Sequence, residues 1–124
     1  MNLIDTSFWF EFYVESNYSK FIEEVIKQTT QLIIPTITIV EMYKKLINVT
    51  DEGNALRFIA QMKKGKIVDL DFDLSLSTAY YGKLYKLPLA DSIIYATAMK
   101  FNATIYTLDK HFKGLPNVQY FEKL

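Results

Sequence analysis

Apolar and polar positions along this chain switch repeatedly between a short-strand pattern and a helical one. Met1-Asn2-Leu3-Ile4 is a brief apolar run ending at Asp5-Thr6-Ser7, residues that favour helix N-caps, ahead of a segment running to about Glu15. A strand and then a helix are predicted. Tyr18 to Thr29 sets Phe21, Ile22, Val25 and Ile26 at helical spacing, with Lys20, Glu23, Glu24 and Lys27 on the other side. Gln31-Leu32-Ile33-Ile34 before Pro35 then predicts a second strand. Thr36 to Val49 predicts a helix with Ile39, Met42, Tyr43, Leu46 and Ile47 on one stripe, and Asp51 caps another through Met62, before a break at Gly65.

The alternation continues with a strand over Lys66 to Leu70 and a helix over Leu74 to Leu87. Pro88 suits the first turn of a further helix, which runs to about Phe101 and is closed by Asn102. Ala103 to Leu108 reads as a strand, Asp109 caps a short helical turn, Gly114 and Pro116 break the chain, and Val118 to Phe121 is a last strand. Strands alternating with helices imply a three-layer α/β/α domain around a mostly parallel sheet. At 124 residues, with no repeat or linker, a single domain over residues 1–124 is expected.

Composition narrows the chemistry. Fourteen basic and fourteen acidic residues cancel, which argues against a broadly cationic nucleic-acid binder while leaving room for a local basic face. The absence of Cys removes disulfides, zinc-thiolate and iron–sulfur sites and a catalytic thiol. No segment has the form of a signal peptide or a membrane span, so a soluble, cytoplasmic protein with no membrane attachment is expected. The four glycines, Gly53, Gly65, Gly82 and Gly114, lie too far apart for a phosphate-cradling loop, and a lone His111 does not make a two-histidine metal motif. Catalysis, if present, rests on carboxylates.

In a parallel sheet the binding crevice lies beyond the carboxyl ends of the strands, where Asp5 and Asp109 fall. Asp91 stands in the first turn of a helix apolar almost all round, and that end faces the same crevice. Each acid taken singly also fits a helix-start role, where free N–H groups and the dipole favour Asp. Glu41, followed by Lys44 and Lys45 at i+3 and i+4, reads by spacing alone as an exposed helix pair. Converging acids are a different matter, because two carboxylates about 5 Å apart repel by roughly 3 kcal/mol at an effective dielectric of 20. Several together need a cation, and an all-oxygen set suits Mg²⁺ or Mn²⁺ and metal-assisted phosphodiester hydrolysis.

Four segments, in order, resemble the PIN-domain ribonucleases, and among them the VapC-like toxins of type II toxin–antitoxin pairs. They are Leu3-Ile4-Asp5-Thr6-Ser7, Thr38-Ile39-Val40-Glu41-Met42, the run from Leu87 to Ala98 around Asp91, and Ile105-Tyr106-Thr107-Leu108-Asp109-Lys110-His111-Phe112. The resemblance implies catalytic acids at Asp5, Glu41, Asp91 and Asp109, with Asp5, Asp91 and Asp109 as metal ligands and Thr6 and Thr107 as polar supports. It also implies an Mg²⁺- or Mn²⁺-dependent endoribonuclease leaving a 5′-phosphate and a 3′-hydroxyl, a homodimer, and a cognate antitoxin. Two departures stand out. Tyr95 replaces a residue that is small in many relatives, and Arg57 is the sole arginine, so any phosphate path falls to Lys44, Lys45, Lys110 and Lys113.

Ser92 is a further supporting candidate, either at metal-bound water or in satisfying the first helical turn, whereas His111 reads as a surface or packing residue. Asp69-Leu70-Asp71-Phe72-Asp73 is no calcium loop, since Leu74 and Tyr80 stand where Gly and Glu are needed, and reads as a strand-to-helix connection. Phe8, Trp9, Phe10, Phe12 and Tyr13 point in every direction on a helix, so both core packing and a partner-facing ring fit them. The alternative readings are a catalytically silent PIN-like domain that binds RNA or protein, and a phosphoacceptor domain of response-regulator type. The second lacks a matching Lys–Thr pair.

Overall fold

A computed structural model describes residues 1–123. Five strands, β1 (Asn2–Ile4), β2 (Leu32–Pro35), β3 (Lys66–Val68), β4 (Thr104–Thr107) and β5 (Val118–Tyr120), form one sheet in the order β3-β2-β1-β4-β5. Every neighbouring pair is parallel. Six helices connect them: α1 (Thr6–Tyr13), α2 (Ser19–Lys27), α3 (Thr36–Val49), α4 (Glu52–Met62), α5 (Phe72–Tyr85) and α6 (Leu89–Lys100). The expected three-layer α/β/α architecture is the one observed.

The layers follow from the two-residue period of a strand, which sends successive side chains to opposite faces. Ile4, Leu32 and Ile34 pack with Phe8, Trp9, Ile22, Met42, Leu46 and Met62 under α1 to α4. Leu3, Ile33 and Ile105 pack on the other face with Leu74, Ile94, Tyr95 and Ala98 of α5 and α6. Helix α6 is buried without a break from Asp91 to Ala98, as its all-round apolar pattern predicts.

Several ends differ from the sequence reading, for local reasons. Helix α1 stops at Tyr13, two residues before the expected Glu15, which itself adopts a left-handed backbone (φ 54°) that a right-handed helix does not continue through. Helix α5 starts at Phe72 rather than Leu74 because the Asp71 carboxylate accepts the Leu74 N–H at 2.8 Å. One acid of the Asp69–Asp73 connection is thus an N-cap.

Tyr95 is fully buried between Tyr81 and Tyr85, its ring edge-on to both, and its hydroxyl donates to the Pro116 carbonyl at 2.9 Å. It ties α5 and α6 to the loop before β5. Tyr95→Ala is expected to cost about 3–5 kcal/mol, read by chemical denaturation. A loss below about 1 kcal/mol would mean that the site collapses without leaving a cavity.

Candidate active site

Strand order reverses at β1, which has β2 on one side and β4 on the other, so the crevice of the sheet opens beyond the carboxyl ends of β1 and β4. The register pairs Ile4 with Tyr106, which sets Asp5 and Thr107 side by side at that opening. Asp5 is 3% exposed, and its Oδ2 accepts from Thr107 Oγ1 at 2.7 Å and from Ser7 Oγ at 2.8 Å. Ser7 in turn accepts the Leu108 N–H at 3.0 Å, and Thr107 Oγ1 accepts the Asp109 N–H at 2.8 Å. One hydroxyl pair therefore fixes both the buried acid and the start of the loop carrying the next one. Asp5 occupies the N-cap position of α1 without its side chain capping the helix, so simple capping does not account for it.

Asp91 is 8% exposed in the first turn of α6. Asp109 follows β4 and caps the short turn Lys110–Phe112 by accepting the His111 N–H at 2.9 Å. That bond folds the His111 ring back, so that Nδ1 lies 2.8 Å from Asp109 Oδ1 and 3.1 Å from Asp91 Oδ2. Asp91, Asp109 and His111 each present a ligand atom within 4.8 Å of the others. Sequence reasoning set His111 apart. The signal for it was the i+2 spacing from Asp109, which acquires meaning only when Asp109 starts a tight turn.

Electrostatics bind Asp5 to this group. Burial pushes the Asp5 carboxyl up to about 6 against the lowering effect of Thr107 and Ser7, with Asp109 adding to the rise. Burial pushes Asp91 up to about 7, reinforced by the charges of Asp109 and Asp5 and opposed by His111. Among the described residues no Lys or Arg forms an ion pair with Asp5, Glu41, Asp91 or Asp109. Carboxylates crowded together without a Lys or Arg partner, and offering oxygen donors, fit a hard divalent cation.

Glu41 stands apart from this trio, yet it is not paired with Lys44 or Lys45 as its spacing suggests. Its Oε1 accepts from Thr6 Oγ1 at 2.7 Å, so α1 links Glu41 to Asp5 through consecutive residues. Thr6, Glu41, Lys44, Lys45 and Asn48 line one hollow, with the Lys45 Nζ 3.9 Å from the centre of the Phe10 ring. Lys113 instead pairs with Glu122 at 3.5 Å. Ser92 directs its hydroxyl to the Leu87 and Pro88 carbonyls at 3.1 and 2.9 Å. There it packs against Gly82, where a Cβ would lie 2.6 Å from Ser92 Oγ, so the close approach of α5 to α6 requires glycine.

The aromatic run of α1 is accounted for by packing. Phe8 and Trp9 are fully buried, and Trp9, Phe12 and Tyr13 all pack against Phe58. None of the five rings is exposed.

A family model described as PIN domain matches residues 3–118. The structure is similar to one described as a toxin–antitoxin complex from Klebsiella pneumoniae, at 25% identity over 99% of this chain and 100% of that one, with a TM-score of 0.85. It is also similar in fold to DNA-bound VapBC from Salmonella typhimurium (16% identity, 98% of each chain, TM-score 0.74). A third is VapBC-1 from nontypeable Haemophilus influenzae (19% identity, 98% and 96% of the chains, TM-score 0.73). No curated protein matches the sequence.

Proposed function

The chain belongs to the PIN domain family, and from that premise we propose that it is a divalent-metal-dependent endoribonuclease, the toxin of a toxin–antitoxin pair. The whole activity is assigned to one domain over residues 1–124, acting in the cytoplasm as a homodimer held in check by a cognate antitoxin. The observation that carries the nuclease reading is the pair of buried acids, Asp5 and Asp91, whose carboxyls are both pushed up and meet no Lys or Arg at the mouth of the sheet. A purely structural role gives no reason to keep two such groups, since burying charge without a Lys or Arg partner is costly.

Asp5, Asp91 and Asp109 are the residues that would hold Mg²⁺ or Mn²⁺. When bound, such an ion activates water and stabilises charge on the phosphoryl and leaving oxygens of the RNA. The protein's own work is orientation. Thr107 and Ser7 hold one oxygen of Asp5 in place, and Thr6 holds Glu41, leaving the other Glu41 oxygen to orient water at the crevice. His111 keeps the carboxylates of Asp91 and Asp109 together. Lys44 and Lys45, beside Glu41 in the same hollow, are the cations that would meet RNA phosphates.

The test that needs no knowledge of the RNA is a calorimetric titration of Mn²⁺, and separately Mg²⁺, into wild type and Asp91→Asn. Binding to wild type and its loss in the folded variant are expected. No binding by folded wild type would favour the silent, RNA- or protein-binding domain instead.

A further inference from the structure

We propose that His111 supplies a nitrogen ligand, through Nδ1, to the cation that Asp91 and Asp109 would hold, so that the site takes a first-row transition ion such as Mn²⁺ in preference to Mg²⁺. The inference rests on the metal-dependent reading above and deepens it, since a rim of carboxylates alone leaves the choice between the two ions open.

Spacing is the first support. Two ligand atoms bound at right angles to one ion, each at about 2.1 Å, lie about 3.0 Å apart. His111 Nδ1 stands 2.8 Å from Asp109 Oδ1 and 3.1 Å from Asp91 Oδ2. The ring nitrogen is thus separated from each carboxylate by the edge length of a six-coordinate site. Among the described residues, Asp91, Asp109 and His111 form the group whose ligand atoms lie within 4.8 Å of one another. It offers two oxygens and one nitrogen.

Restraint is the second. His111 lies in the short turn Lys110–Phe112, where its own N–H donates to Asp109 Oδ1 at 2.9 Å and the next side chain, Phe112, is fully buried. The Phe112 N–H closes the turn on the Asp109 carbonyl at 3.1 Å. A ring on so short a tether is held at the carboxylates in advance, which lowers the cost of ordering it around an ion. His111 is exposed and Asp91 buried, so the ring forms the solvent side of the trio.

Ligand chemistry is the third. Mg²⁺ prefers oxygen and gives up its waters reluctantly, whereas imidazole nitrogen suits first-row transition ions. Lys or Arg would balance the charge of Asp91 and Asp109 equally well but offers no lone pair. In the neutral ring Nδ1 gives its lone pair to the ion and the proton stays on Nε2.

His111 is the sole histidine of the chain, so ¹⁵N-histidine labels this ring alone. Pulsed electron paramagnetic resonance of the untagged, Mn²⁺-loaded protein is expected to show coupling to a directly bonded nitrogen. That signal should change from the ¹⁴N to the ¹⁵N pattern on labelling and vanish in His111→Asn. Asn keeps an amide near the position of Nδ1 and can still hydrogen-bond the carboxylates, so a role confined to positioning them survives the exchange. By calorimetry, His111→Asn is expected to lower Mn²⁺ affinity about tenfold or more and Mg²⁺ affinity less than about threefold, with circular dichroism confirming the fold. Mn²⁺ bound without nitrogen coupling would overturn the ligand role and leave the metal-dependent reading standing. Nitrogen coupling with both affinities lowered alike would overturn the preference for the transition ion. Binding of neither ion by folded wild type would overturn this proposal and the metal-dependent reading together.

Discussion

Asp5→Asn is expected to lower RNA cleavage by about a thousandfold or more while making the metal-free protein more stable at neutral pH. On the proposed function, the first effect follows from removing a charge that would hold the metal ion, where ion-mediated stabilisation supplies several kcal/mol to the transition state. The second follows from the position of Asp5. A carboxyl pushed from 3.8 to about 6 by burial is one that the fold holds in its charged form at a cost of about 2–3 kcal/mol at pH 7.5. Asn removes the charge and keeps a carbonyl oxygen to accept from Thr107 and Ser7. Cleavage of a panel of RNAs and urea unfolding in chelator read the two effects together. Cleavage within tenfold of wild type would remove Asp5 from the catalytic site, and a loss of stability would mean that its charge is compensated in a way its contacts do not suggest.

The second large effect concerns pH. Asp5 and Asp91 both have folded-state values raised above that of an unfolded Asp, to about 6 and about 7. Between about pH 4 and those values the folded protein holds protons that the unfolded chain has released, so stability falls as pH rises. The contribution of these two groups is therefore fully present below about pH 4 and lost by pH 7.5. In chelator, the melting temperature of wild type is expected to drop between pH 5 and pH 7.5 more steeply than that of Asp5→Asn. Mn²⁺ is expected to reverse the drop, raising the melting temperature far more at pH 7.5 than at pH 5, because ligands must shed their protons to bind it. Equal Mn²⁺ stabilisation at both pH values would show that neither buried acid is a ligand.

Much of this was legible in the residues. Leu3, Ile4 and then Asp5, like Ile105, Thr107 and then Asp109, display the strand-then-acid pattern that fixes both sheet and crevice, and the span Thr36–Val49 was readable to its ends, although Ile47 of the expected apolar stripe lies exposed. Glu41 was not readable from spacing, because Lys44 and Lys45 at i+3 and i+4 imply a pair that the structure does not form, and only the resemblance marked it as a candidate. His111 was missed because its approach depends on a backbone hydrogen bond to Asp109, a three-dimensional fact with no period along the chain. The exposed apolar face of α5 was hidden for a related reason. Helix α5 is apolar on both faces, Leu74, Tyr81 and Tyr85 inward and Phe72, Leu76 and Tyr80 outward, so it lacks the contrast by which a pattern separates core from surface.

The hydrogen bond from Thr107 to Asp5 spans 102 positions of sequence, and this has a consequence for synthesis. Asp5 is synthesised well before its partner Thr107 on β4, and parallel pairing over such a separation is among the slowest kinds of contact to form. Until then β1 has a neighbour on one side only, and the acids have no shared rim. On the proposed function, the growing polypeptide therefore lacks a complete acidic site for most of its translation. The rim that gathers Asp5, Asp91 and Asp109 is complete only as the last strands dock.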